Sequence, residues 1–218
     1  ARSGYSVPAD YYDEYYTRVE KYVKNCNGVL HERKYTEYSR VILALTALGE
    51  DATKFTGSNG TVYNLVEPLF EKNGSTYRVS EQGNNGTAFA LIALDSGNYY
   101  DNATGTTARN AWIKSLCDAQ INNGAWGIDT DFPGSNVDMT AMVVQALAPY
   151  CSTNATVKAA VDKAVKWLSA EYQKTGWDRN GVVLKLVIFC ACWEIASGDE
   201  AIKKSLTDAY QDFLRTID

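Results

Sequence analysis

The sequence predicts an all-α fold of two concentric helix layers, and three observations carry that prediction. Alanine-rich, almost wholly apolar segments at 38–48 (YSRVILALTAL), 86–94 (GTAFALIAL) and 138–147 (DMTAMVVQAL) recur at a spacing of roughly fifty residues, the size of a two-helix unit. Between them lie segments that are apolar on one face only, at helical spacing. No strand-period alternation or hairpin signal competes. A helix apolar nearly all round is buried on most sides, and a one-sided helix covers it from outside. Their alternation therefore gives an inner and an outer layer within one domain spanning residues 1–218.

In chain order, the first helix is expected at 10–24. Tyr12, Tyr15, Tyr16 and Tyr22 fit one face there, either packed on the outer layer or offered as an interaction surface. The first inner helix, 38–48, starts beside Glu37 and Tyr38. A further helix is placed at 61–72. The second inner helix, 86–94, starts between Asn85 and Thr87. The outer helix 106–121 buries Ala108, Ala111, Trp112, Ser115, Leu116 and Ala119 and turns Arg109, Lys114 and Asp118 outward. The third inner helix, 138–147, begins at Asp138, which could cap its own helix. The outer helix 156–172 buries Val157, Ala160, Val161, Ala164, Trp167 and Leu168 and exposes Lys158, Asp162, Lys163 and Lys166. A degenerate fourth inner segment at 182–193 and a last helix at 199–216 bring the total to about nine.

Composition narrows the function. A hydrophobic fraction of 45% with 22% charged residues is that of an ordinary globular chain. The formal net charge of −5 comes from dispersed acids, with no basic cluster to release counterions from a phosphate backbone, so nucleic acid is not an expected partner. The longest apolar run, 182–195, is interrupted by Lys185 and Glu194 and is too short to cross a bilayer, so no membrane insertion is expected. The five cysteines, Cys26, Cys117, Cys151, Cys190 and Cys192, show no CxxC spacing and sit beside no histidine, and are read as small buried apolar residues. Residues 1–10 show no charged start followed by an apolar core, so no signal peptide is read there. NxS or NxT sequons at Asn59, Asn73, Asn85, Asn102 and Asn154 are glycan acceptors in a secreted eukaryotic chain or, the favoured reading, helix starts and turns.

Residues 120–126 read QINNGAW, a QxxxGxW pattern closing an outer helix just before a new inner one. It resembles the QW turn of the squalene-cyclase/prenyltransferase-like α/α-toroid repeat family, in which Gln bonds a helix end and Trp packs beneath the loop. Residues 173–177 (QKTGW) look like a shortened second copy. Residues 138–150 (DMTAMVVQALAPY) are similar to inner-helix segments of secreted bacterial members, and these and 38–49 also resemble the helical domains of transcobalamin and intrinsic factor. The likeness covers the chain from about Thr36 onward. It implies an α/α toroid, an extracellular or cell-surface location within a larger secreted protein, and cobalamin as a ligand. The start Asn180-Gly181-Val182 departs from the expected acidic start, and nine helices fall short of the twelve of a closed six-hairpin ring, so the ring is expected to be open or incomplete.

The family's chemistry is not matched. Squalene cyclases protonate an alkene with a DxDD acid, and the nearest approach here is Asp129-Thr130-Asp131 followed by Asp138, without the adjacent pair. The zinc-dependent members need His with Cys or Asp, whereas His31, the sole histidine, stands in HERKY and is read as a surface or capping residue. CGEQ thioester, GxSxG and phosphate-loop sequences are absent. No metal or required cofactor is expected.

What the architecture offers a ligand is one end of the domain. Parallel inner helices gather their N-termini there, with partial positive charge converging on Glu37, Tyr38, Asn85, Thr87, Asp138, Thr140 and Asn180, and with Trp126 and Trp177 in the preceding turns. The leading expectation is a non-enzymatic secreted or cell-surface domain binding a small molecule, a glycan or a protein there. The alternative is a carboxylate-dependent enzyme, glycan-active or terpenoid-cyclase-like, using Asp129, Asp131 and Asp138.

Overall fold

A computed structural model describes residues 8–57, 59–129 and 131–175, with side chains described to residue 171. Within them the six α-helices are α1 (Tyr11–Asn25), α2 (Thr36–Leu48), α3 (Gly83–Ser96), α4 (Ala103–Asp118), α5 (Val137–Leu147) and α6 (Ala155–Thr175). The expected helices at 182–193 and 199–216 lie outside the described residues.

Helix ends follow local chemistry. α2 stops at Gly49, whose φ of +88° suits a residue without Cβ, while Gly49 N–H and Glu50 N–H return to the carbonyls of Thr46 and Leu45. Asn102 caps α4 by accepting from Gly105 N–H at 2.8 Å, and Asn154 caps α6 by accepting from Thr156 and Val157. Asn136 caps α5 through Met139 N–H at 2.8 Å. That corrects the reading of Asp138, which sits exposed in the first turn and is not the cap.

α2, α3 and α5 form a row of neighbours with α3 in the middle, α4 packs on α3, and α6 packs on α5 and α4. The row is parallel, as its end contacts show. At the start of the helices Gln82 joins Thr36, and Asn84 joins Gly127 and Ile128 just ahead of α5. At the far end Ser96 reaches Thr46, and the Tyr150 hydroxyl donates to Asp95. The buried faces of α3 and α5 are rich in alanine (Ala88, Ala90, Ala93, Ala141, Ala146), so the helices approach closely, and their apolar residues belong to one connected core.

Two expectations are corrected. The segment placed as a helix at 61–72 holds instead strand β2 (Val62–Tyr63), paired antiparallel with β1 (Phe55–Thr56), then a 3-10 turn at Glu67–Phe70 and strand β3 (Lys72–Asn73), paired with β4 (Thr76–Tyr77). Hairpin signals do compete here: Asn59-Gly60 and Asn73-Gly74 lie in the two turns, with both glycines at positive φ. A second 3-10 turn, Arg78–Gln82, leads into α3 and passes so close that a Cβ on Gly86 would lie 1.9 Å from the Val79 carbonyl oxygen. On α4, Arg109 does not face away: its guanidinium lies 3.8 Å from the ring centre of Tyr100 and 5.8 Å from that of Tyr150, while Ser115 of the expected stripe is exposed. The residues between α2 and α3 dock on α4 through Trp112, stacked on Phe70 and edge-on to Tyr77.

Candidate functional site

After α1 the chain reverses through Asn27 and Gly28, at φ of 50° and 79°, and runs as a short loop to α2. Two contacts fix the loop. Tyr22 hydroxyl donates to Leu30 O at 2.9 Å, and His31 Nδ1 accepts from the backbone N–H groups of Arg33 and Lys34, both at 3.0 Å. His31 therefore caps a turn, as its setting in HERKY suggested, and its ring hydrogen is assigned to Nε2. Facing this loop is β2, whose Tyr63 ring lies against the backbone of Gly28: a Cβ there would meet Tyr63 Cδ1 at 2.7 Å.

Between the loop, the start of α2 and the two hairpins lies a cleft of about 640 Å³. Tyr35 and Tyr38 form its floor, stacked at 5.8 Å and both nearly enclosed. Tyr35 hydroxyl donates to Glu71 Oε2 at 2.6 Å, and Arg78 Nη1 lies 3.6 Å from the same oxygen. Arg78 also donates to Glu32 O at 3.1 Å, approaches Glu81 at 3.8 Å and holds its guanidinium 5.3 Å from the Tyr35 ring centre. Glu71 and Arg78 flank the β3–β4 hairpin, and Arg78 N–H donates to Glu71 O, so the hairpin itself brings this pair of opposite charges together. Burial pushes the Tyr35 hydroxyl pKa up, and the neighbouring Glu71 carboxylate pushes it further, so the phenol stays a donor. Tyr38 is likewise raised by burial, against the opposing effect of the Leu30 amide that its oxygen accepts at 3.2 Å.

Of the residues expected from sequence, Tyr38 lines this cleft. Glu37 lies half-buried in the next position, 3.6 Å from Arg40. The other expected positions gather at the neighbouring helix starts. Asn85 is half-buried in the first turn of α3, and Thr87 is buried with its hydroxyl on Gly83 O. Asp129 reaches the same turn, since a Cβ on Gly83 would meet Asp129 Cβ at 2.8 Å. Its Oδ1 accepts from Asp131 and Phe132 N–H, which makes it a turn-former, and Asp131 and Asp138 are exposed. Trp126 is fully enclosed: its indole N–H donates to Leu116 O at 2.7 Å and its backbone N–H to Thr140 Oγ1. Gln120 donates to Gly124 O and to Ala160 O, a carbonyl inside α6 and not at a helix end. Trp177 and Asn180 lie outside the described residues.

Sequence reasoning missed His31, Tyr35, Glu71 and Arg78 as partners in one cleft. The Asn73-Gly74 turn was the signal that would have set Glu71 opposite Arg78. A second cleft of about 470 Å³ lies at the opposite end of α2, where Tyr99 hydroxyl joins Thr46 to Ala52 N–H beside Glu50, Asp51 and Asp101. The described cysteines Cys26, Cys117 and Cys151 are half-buried free thiols whose pKa burial raises. Among the described residues no group of His, Cys, Asp and Glu is arranged to hold a metal, and no helix is long and apolar enough to cross a membrane. No protein-family model matches the chain, nor does any curated protein or solved structure.

Proposed function

We propose that the chain is a non-enzymatic, ligand-binding helical domain of the α/α-toroid type, related to the squalene-cyclase/prenyltransferase-like repeats and working outside the cell or at its surface. Support for the architecture comes from the parallel row α2, α3 and α5, from its cover by α4 and α6, and from the enclosed Gln120 to Trp126 turn. The observation that carries the binding reading is the cleft at the start of α2. Its volume of about 640 Å³ lies within the range of small-molecule clefts, roughly 300–1,000 Å³. Its floor is held by hydrogen bonds within the protein, so little side-chain freedom is lost when a ligand enters.

The loop acids favour binding over catalysis. Asp129 is committed to its own turn, and Asp131 and Asp138 stand exposed on the surface. A small polar molecule or a glycan suits the cleft, and cobalamin is the ligand that the family resemblance contributes. The experiment is calorimetric titration of the whole chain with cobalamin and with neutral and acidic oligosaccharides, each also incubated to look for turnover. Saturable binding without turnover is expected. Turnover that disappears when Asp129, Asp131 and Asp138 become alanine would establish the enzyme instead.

A further inference from the structure

Resting on that binding reading, we infer that the cleft at the start of α2 takes a neutral, polyhydroxylated ligand, a sugar ring, held by Tyr38, His31 and Glu71. Charge is the first argument. The lining brings two acids, Glu32 and Glu71, against two arginines, Arg33 and Arg78, and Arg78 is engaged by Glu71, Glu81 and the Glu32 carbonyl. Neither an anion nor a cation would meet an excess of opposite charge.

Hydrogen-bond direction is the second. A sugar hydroxyl both donates and accepts, so adjacent hydroxyls are matched by donors and acceptors set side by side. Tyr38 oxygen already accepts the Leu30 amide, which leaves its own hydrogen to donate. His31 Nδ1 is occupied by two backbone amides, which leaves Nε2–H to donate. Glu71 supplies the acceptor: Tyr35 and Arg78 approach Oε2, and among the described residues Oε1 has no partner. Tyr35 and Arg78 hold the Glu71 side chain in place through Oε2 and leave Oε1 to accept. Val62, 59% exposed at the rim, offers an apolar contact for the C–H face of the ring.

The test is calorimetry on the full chain with maltotriose, cellotriose, mannotriose and N,N′,N″-triacetylchitotriose as neutral probes, and trigalacturonate and cyanocobalamin as the others. At least one neutral trisaccharide should bind saturably. Glu71→Gln should weaken it about tenfold, the loss of one charge-assisted hydrogen bond. Val62→Glu, at an exposed position where folding is not at stake, should weaken it by a similar factor. Lys54→Ala, in the opposite cleft, should leave it unchanged. If trigalacturonate or cyanocobalamin binds best and responds to Glu71→Gln and Val62→Glu, the neutral-sugar class is overturned while the binding site stands. If no probe responds to either variant, or none binds, the site falls with the class.

Discussion

Residues 49–82 and residues 97–136 both connect neighbouring inner helices, α2 to α3 and α3 to α5, yet they are built on different physics. The second connection carries α4, whose buried face of Ala108, Trp112, Ile113 and Leu116 is a repeat of ordinary helix packing, followed by a turn closed around Trp126. The first has no α-helix. It is held by glycine turns, two short hairpins and side-chain hydrogen bonds, and its outward side forms a wall of the polar cleft. The contrast teaches that a connection without an α-helix can still cover the core, through Phe55, Leu65, Leu69 and Val79, while its turns and hairpins leave polar side chains on the cleft side.

If the helical connection carries stability, Trp126→Ala should be the most damaging change. It empties a fully enclosed site and strips the Leu116 carbonyl of its indole donor, at an expected cost of about 3–5 kcal/mol by urea denaturation. A cost below about 1 kcal/mol would break the comparison. On the loop that faces the irregular connection, Gly28→Ala puts a Cβ at positive φ and against the Tyr63 ring. It should cost about 1–3 kcal/mol and distort the cleft while far-UV circular dichroism keeps its helical amplitude.

Two acids, Asp95 near the end of α3 and Asp51 in the irregular connection, should titrate in opposite senses. Burial raises the Asp95 carboxyl pKa, against the lowering effects of Tyr150 and Arg109. The folded chain then holds a proton that the unfolded chain releases above about pH 3.9. Stability from this group is complete below that pH and declines as pH rises toward the raised folded value, at no more than about 1.4 kcal/mol per pH unit. Asp95→Asn should remove the decline. Hydrogen bonding from Thr53 lowers the Asp51 carboxyl pKa, so its contribution is present above the ordinary carboxylate range and fades as pH falls through the lowered value. Asp51→Asn should flatten that acid limb, and denaturation series across pH 2–7 in both variants separate the two. The smallest effect sharpens the helical side alone: Asn102→Ala removes the α4 cap and should cost about 1 kcal/mol.

How far the fold could be read before it was seen divides along the same line. α2, α3 and α5 were legible because a helix buried on most sides needs apolar residues on most sides. Their starts fell earlier than expected at α2 and α3, where Gln82 Oε1 accepts the Thr36 amide and the Ile128 carbonyl accepts the Asn84 amide from outside the apolar run. The false helix at 61–72 has a physical origin: Leu65, Val66 and Leu69 are buried at helix-like spacing, but a 3-10 turn containing Pro68 and two hairpins sets that spacing. Arg109 was assigned to solvent from its place on the helix, and only folding brings Tyr100 and Tyr150 around it. The cleft shared the second difficulty. Tyr38 marked itself by standing at a helix start, whereas His31, Glu71 and Arg78 come from separate segments whose meeting depends on hairpin register.

That the site lies between the loop before α2 and the irregular connection, and not at the loop acids before α5, is tested by amide hydrogen exchange with a saturating neutral trisaccharide. The account predicts added protection confined to residues 27–38 and 62–78, with the loop from Ile128 to Asp138 unchanged. Protection of that loop, with residues 62–78 unaffected, would contradict it.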